Sequence, residues 1–363
     1  MITIHSSELL RALRRVAPIV PAKTPVPIMS CIALRASGGT ATFAATDAHR
    51  SIRTSVPCEG DLAVALPAKT LASIAASLPA GDVVVELVPG GASIRAGRAR
   101  FKVPSMPIED FPPLHTTTGD LLATMPAAAL GDLLRSVQHA VADDSTRPHL
   151  AGVNLEFGDG LATATATDGH RLSTSSTPCE AVAPGTLVPV HAVESIVALC
   201  LDRDEAVGVV LLRSERHVIA ERGDTSIMSV LVDAAFPPWR KIMPPVKRKG
   251  ARASVSREAL ADAVRRVSLV ARRDGGLRLD VAEGVLKLSA LDSESGESSE
   301  DIEAITSGGD GFVGLCGSYL SDALRSMQSE HVEVGLAGEL DPIVVRDGVA
   351  ERTSASVIMP MRA

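Results

Sequence analysis

Ser7-Glu8-Leu9-Leu10-Arg11-Ala12-Leu13-Arg14-Arg15-Val16 decides the fold, because the chain writes its apolar pattern twice more. Leu9, Ala12, Leu13 and Val16 have the i, i+3, i+4, i+7 spacing of one buried helical stripe, and the spacing returns at Leu130, Leu133, Leu134 and Val137, then at Leu260, Ala263, Val264 and Val267. The repetition runs past the helix. Thr46-Asp47-Ala48-His49-Arg50 answers Thr167-Asp168-Gly169-His170-Arg171, and Asp110-Phe111-Pro112-Pro113 answers Ala235-Phe236-Pro237-Pro238. The period is a whole domain, far longer than the roughly 20 to 50 residues of a solenoid repeat.

Around these anchors the chain divides into modules at residues 1–118, 119–246 and 247–363. The joins are His115 to Asp120, polar and small, and the proline-led, basic Pro244 to Gly250. Each module opens on a short strand (Met1 to Ile4, Leu121 to Met125, Ala253 to Val255), followed by a helix capped by a residue such as Ser7 or Ser256. Alternating stretches such as Ala41 to Ala45 and Leu161 to Thr167 read as strands. A second helix follows at Lys69 to Leu78, Ala192 to Cys200 and Ser318 to Met327, and strands such as Val83 to Leu87, Val207 to Leu212 and Val332 to Leu336 close the plan. Strands interrupted by two helices predict α+β modules, each a helix pair packed on antiparallel sheets.

Of 363 residues, 45% are hydrophobic and 22% charged, which suits a globular chain of two or three domains. Only 2% are aromatic, so the cores must be built from Ala, Val, Leu and Ile. No apolar run reaches the roughly 18 residues that cross a bilayer, and Met1-Ile2-Thr3-Ile4-His5 lacks the regions of a signal peptide, so a cytoplasmic protein without membrane contact is expected. Cys31, Cys58, Cys179, Cys200 and Cys316 are scattered, with no C-x-x-C pair, and read as small core residues.

The net charge of −7 argues against a simple basic nucleic-acid binder, but its distribution matters more. Residues 1–118 carry 12 basic and 8 acidic side chains, whereas residues 247–363 carry 15 and 19. Arg95, Arg98, Arg100 and Lys102 alternate along one strand of the first module, and Glu294, Glu297, Glu300, Asp301 and Glu303 form an acidic run in the third. A basic edge and an acidic edge suit a head-to-tail contact between chains, which closes into a ring when the rotation permits. The first helices carry Arg11, Arg14 and Arg15, then Arg135 and His139, then Arg265, Arg266, Arg272 and Arg273, all off the apolar stripe and so facing outward.

Thr-Asp-x-His-Arg invites an enzyme reading with Asp168 orienting His170 as a general base. A turn-forming Asp beside a partly buried His is the simpler account, because no Ser or Cys nucleophile sits in a recognisable elbow. Nor does any pair of histidines carry metal-ligand spacing.

The triplicated module, Thr167 to Leu172, Phe236-Pro237, Ser318-Tyr319 and above all Val357-Ile358-Met359-Pro360-Met361-Arg362 resemble the bacterial sliding clamps, the DNA polymerase III beta subunits, over the full length. The resemblance implies a DNA clamp fold in which two chains join head to tail into a ring, with helices lining the hole and sheets outside. It implies a processivity factor without catalytic activity, cofactor or metal, encircling double-stranded DNA without regard to sequence. DNA polymerase subunits, the clamp loader and repair proteins would hold the ring through short peptides. The pocket it implies comprises Leu150, Thr167, Gly169, His170, Arg171, Leu172, Pro237, Lys241 and Ile242 with Ser318, Tyr319, Val357, Met359, Pro360, Met361 and Arg362. Arg11, Arg14, Lys23, Lys69, Arg147, Arg265 and Arg266 are the expected DNA contacts. Arg98 and Arg100 are expected to meet Glu297, Glu300, Asp301 and Glu303 of a second chain around Ile74, Leu78 and Phe101.

Some positions depart from the family pattern. An aromatic pair that touches DNA is replaced by Arg147-Pro148-His149, and the pocket rim carries Asp274, Gly275 and Cys316. The competing reading is a diverged or drug-tolerant duplicate that binds peptides as a scaffold without encircling DNA. It expects loss of the inner cations or the charged edges, and both are present in the sequence.

Overall fold

The computed structural model describes residues 1–114, 118–143, 146–201, 207–244, 249–271, 275–349 and 352–361. Among them are six α-helices, α1 (Ser6–Val16), α2 (Ala68–Ser77), α3 (Ala127–Arg135), α4 (Val190–Cys200), α5 (Arg257–Val267) and α6 (Gly317–Ser326). The second helices α2, α4 and α6 fall within two residues of the predicted spans, and α1, α3 and α5 carry the predicted stripes, except that α3 ends at Arg135, two residues before Val137. The apolar stripes explain why they form: Leu9, Ala12, Leu13 and Val16 of α1 and Leu260, Ala263, Val264 and Val267 of α5 are all at most 2% exposed. Burying each Leu contributes about 1.5–3 kcal/mol, and Leu260→Ala should cost about 2–5 kcal/mol. Ser256 caps α5 as expected, accepting from Ala259 N at 3.4 Å. At α1 the cap is His5, not Ser7: its Nδ1 accepts from Ser7 N at 3.4 Å.

The chain folds into two compact units, residues 1–127 with 194–231, and residues 128–193 with 232–363. The middle repeat is therefore shared. Unit 1 contains a five-stranded sheet ending on the strand Ala99–Val103, and an eight-stranded sheet. In the latter, Thr225–Val230 of the second repeat pairs antiparallel with Arg50–Pro57 of the first, setting Ile227 opposite Ile52 and Thr225 opposite Thr54. Unit 2 contains a four-stranded sheet ending on Gly296–Glu303, and a nine-stranded sheet in which Arg171–Pro178 pairs antiparallel with Arg352–Ile358. Here Ser173 faces Ser356 and Ser175 faces Ser354, each hydroxyl pair at 2.9 Å.

The core is aliphatic, as the composition requires. Around α5 and α6 it consists of Leu, Val, Ala, Ile and Met, including Leu277, Leu279, Leu288 and Leu315 at 0% exposure. No helix among the described residues is long and apolar enough to cross a membrane.

Candidate functional site

The turn between the strands Leu161–Thr167 and Arg171–Pro178 is built from its own side chains. Thr167 Oγ1 donates to Arg171 O at 2.6 Å and accepts from Gly169 N at 3.2 Å. Asp168 Oδ1 accepts from His170 N and Arg171 N, both at 2.9 Å, while Oδ2 accepts from Arg171 Nε at 3.0 Å. Asp168 is thus a turn former, and His170 is exposed rather than partly buried. Gly169 takes φ +92°, a conformation that a side chain strains. Arg147 Nη1 closes over the turn, donating to Asp168 O at 2.9 Å.

Arg171 is held on three sides. Its Nη1 donates to Asp322 Oδ2 at 2.7 Å, its Nε to Asp168, and its guanidinium lies over the Tyr319 ring at 4.4 Å. Tyr319 and Asp322 are one turn apart on α6 and so share a face. A planar guanidinium fixed in this way presents its remaining N–H groups in a set direction. Burial, followed by the charges of Asp168 and Cys316, pushes the Tyr319 phenol above its ordinary range.

The C-terminal segment docks on this turn through its backbone. Met359 N donates to His170 O and Met361 N to Gly314 O, both at 2.9 Å. Leu172 pairs with Val357 across the sheet, and with Val344 they form a small apolar cluster against which Trp239 and Met243 pack. Trp239 is fixed by its indole N–H, which donates to Glu156 Oε2 at 3.1 Å. The result is an apolar floor beside an oriented cation, with Met359 and Ile242 exposed, and Pro360 and Met361 half-buried.

The structure therefore brings Thr167, Gly169, His170, Arg171, Leu172, Tyr319, Val357 and Met359 into one contact network, with Met361 held beside it at Gly314. Leu150 joins it through Arg147, whose carbonyl accepts from Leu150 N at 2.9 Å. Pro237, Lys241 and Ile242 flank Trp239, and Ser318 lies 3.2 Å from Cys316 Sγ. Arg362 and Asp274 lie outside the described residues. Sequence reasoning missed Trp239, Met243, Val344 and Asp322. The single tryptophan directly after Phe236-Pro237-Pro238, and an acid one turn beyond Tyr319, are the signals that could have found two of them.

His139, expected to face outward, points inward behind Arg171. Its Nε2 is 3.0 Å from Ser173 Oγ, and its buried Nδ1 has no partner among the described residues. Burial, then repulsion from Arg171, lowers its pKa to about 4 against the opposing pull of Asp322 and Asp168.

The charged surfaces differ from the sequence reading in three respects. Ile74 is 7% exposed and already packed within unit 1, which leaves Leu78 and Phe101 as the half-buried apolar residues near the basic edge. Arg98 and Arg100 are exposed there. Period-two alternation splits the acidic strand, so Glu297, Asp301 and Glu303 are exposed on one face while Glu300 turns to the other. There Glu300 pairs with Arg266 at 2.6 Å, joining a residue expected at the chain edge to one expected at DNA. Among the other expected DNA contacts, Arg11 pairs with Glu8, and Arg265 lies 3.4 Å from Asp262. Arg14, Lys23 and Lys69 are exposed with no carboxylate partner among the described residues. Arg272 and Arg273 lie outside those residues.

This combination, a repeated α+β module with an arginine-and-methionine site at the chain's end, defines a clamp-type polymerase accessory subunit. The chain belongs to the DNA polymerase III beta subunit family: the models of that family's N-terminal, central and C-terminal domains match residues 1–115, 124–238 and 240–362. It is 30% identical to the beta sliding clamp of Salmonella typhimurium over 99% of both chains. It superposes on the crystal structure of the DNA polymerase III subunit beta from Pseudomonas aeruginosa with a TM-score of 0.92 at 27% identity, covering all of both chains. The Caulobacter crescentus beta sliding clamp matches with a TM-score of 0.90 at 29% identity, over 100% of this chain and 99% of that one.

Proposed function

We propose that this chain is a cytoplasmic, non-catalytic replication processivity factor with modules at 1–118, 119–246 and 247–363. Two copies close head to tail around duplex DNA, and polymerase subunits, the clamp loader and repair proteins are tethered by short peptides at the Arg171 site. The observation that carries the tethering is the docking of Met359 on the Thr167–Arg171 turn, with Met361 held on the neighbouring strand at Gly314, which places an apolar floor beside a fixed guanidinium. A Gln-led peptide ending in Leu and Phe meets both: its apolar end fits the Met, Pro and Leu172 floor, and its polar groups reach Arg171 and His170.

Two edge strands support the ring. Ala99–Val103 ends one sheet with Arg100 and Lys102 exposed, and Gly296–Glu303 ends another with Glu297, Asp301 and Glu303 exposed. Each edge carries unpaired backbone groups ready for another strand. If the edge of one copy pairs with the opposite edge of the next, cations face anions while Phe101 lies beside Ile302. Exposed ion pairs contribute only about 0–1 kcal/mol each, so they set register, and the backbone ladder and apolar contact supply affinity.

Arg11, Arg14, Lys23, Lys69, Arg147, Arg265 and Arg266 are assigned to phosphate contact. Phosphate contact by Arg147 competes with its bond to Asp168 O, and by Arg266 with Glu300 and Asp262. Encirclement needs no more than weak, salt-sensitive binding, because topology prevents escape. The test is retention on DNA. Light scattering should give a dimer for the wild type and a monomer for Leu78→Asp with Phe101→Asp. Protein loaded onto a closed circle should stay until the circle is cut. Loss from an intact circle at moderate salt, with the dimer verified, contradicts encirclement.

A further inference from the structure

Unit 1 holds a cleft of about 740 Å³ between α1 and the C-terminal half of α4. Its floor is apolar: Ile19, Ile52, Leu199 and Ile227 line it, each at most 7% exposed. Leu201 extends the apolar surface at the mouth and is 60% exposed. The rim is cationic, with Arg11, Arg14 and Arg15, and no carboxylate is among the described lining residues. Arg15 Nη1 is tied to Thr225 Oγ1 at 2.8 Å, and Arg11 is paired with Glu8. Arg14 is exposed and has no carboxylate partner among the described residues.

The repeat-related region of unit 2 is chemically different. Ile52 and Ile227 correspond to Ser173 and Ser356, whose hydroxyls bond each other, and Pro18 corresponds to His139, whose ring nitrogen reaches Ser173. The fold therefore tolerates a self-satisfied polar arrangement at these positions, and unit 1 keeps isoleucines beneath arginines instead. An apolar floor beneath the exposed Arg14 matches an apolar body bearing an anionic head. A DNA phosphate backbone has no such body to fill the floor.

We propose that this cleft binds a small amphiphilic anion, its hydrocarbon or aromatic body against Ile52 and Ile227 and its carboxylate or sulfonate toward Arg14. The volume lies within the roughly 300–1,000 Å³ typical of small-molecule sites. Binding does not depend on the clamp reading. Its consequence does: an occupant would neutralise Arg14 and shield Arg11, two residues assigned to phosphate contact, and so weaken the hold on duplex.

The experiment is a titration of the full chain with 1-anilinonaphthalene-8-sulfonate, followed by displacement. Fluorescence should saturate at one site per chain, and decanoate should displace the dye while decyltrimethylammonium should not. Ile52→Ser with Ile227→Ser, the unit 2 pattern, should weaken dye binding at least tenfold. Arg14→Ser and Leu201→Glu, both at exposed positions, should each weaken it severalfold, and they keep the test decisive if the double variant does not fold. Wild-type affinity in both single variants, or equal displacement by the cationic amphiphile, overturns the proposal. Displacement of dye with no change in duplex retention would sever the cleft from DNA contact while leaving the binding site standing.

Discussion

The turn at Thr46 to Arg50 in unit 1 and the turn at Thr167 to Arg171 in unit 2 are the same device set in different surroundings. Each Asp accepts from the backbone N–H groups of the histidine and arginine two and three residues on and from the arginine Nε, and each threonine hydroxyl donates to the arginine carbonyl. In each, the histidine carbonyl accepts a backbone N–H from the neighbouring repeat, Val230 N to His49 and Met359 N to His170, both at 2.9 Å. They diverge in what the arginine meets on the adjoining helix: Arg171 donates to the Asp322 carboxylate and lies over the Tyr319 ring, and Arg50 donates to the Ser195 hydroxyl at 2.9 Å. The turn is therefore a scaffold shared by two repeats, and its surroundings are set by the helix beside it.

Removing the arginines should separate the two most. Arg171→Ala strips two carboxylates and an aromatic face of their partner in a mostly buried setting and should cost about 2–4 kcal/mol, discounted from the range for fully buried pairs. Arg50→Ala loses its bonds to Asp47 and Ser195 and should cost about 1–2 kcal/mol. Urea denaturation compares them, and equal losses would mean that Asp322 and Tyr319 add nothing.

His139 sharpens the comparison, because unit 1 has Pro18 at the corresponding position. A histidine with folded pKa near 4, against 6.5 when unfolded, favours the neutral form in the folded state. Below pH 6.5 the unfolded chain binds the extra proton, so stability falls as pH drops from 6.5 to about 4, by at most about 3 kcal/mol. His139→Gln should flatten that part of the profile relative to the wild type. An unchanged slope would mean that another group titrates there.

The smallest effects lie at the turn's left-handed residue. Gly169 has φ +92°, and a Cβ there would stand 3.2 Å from Arg147 Nη1, whereas unit 1 places Ala48 at φ +77°. Ala48→Gly should raise stability by about 0.5–1 kcal/mol by relieving strain, and Gly169→Ala should lower it by about 1 kcal/mol or more. Thermal melts check both signs.

The helices and the turn were legible in the sequence because both are local: the stripe of Leu9 to Val16 and the Asp168 pattern need only neighbours. The apolar floor was only half legible. Leu172 and Val357 were named from the family motif, but Val344 reaches Leu172 only because the strand of Val357 pairs with that of Leu172, 185 residues away, and Trp239 packs there from a turn outside the sheet. Alternation could have turned Glu300 away from Asp301, yet only the fold brings Arg266 to it. Arg147 was read by its charge, and its geometry ties it to the turn.

The account's central claim is that peptides are held by the Arg171 turn with the C-terminal segment, and not by its counterpart in unit 1. A fluorescent Gln-led peptide ending in Leu and Phe should be titrated against the wild type, Met361→Ala and Arg50→Ala. Losing a buried contact at such a site typically costs about 2 kcal/mol, so Met361→Ala should weaken binding at least roughly tenfold, while Arg50→Ala stays within about twofold of the wild type. Equal affinity for the wild type and Met361→Ala, or a loss confined to Arg50→Ala, would contradict it.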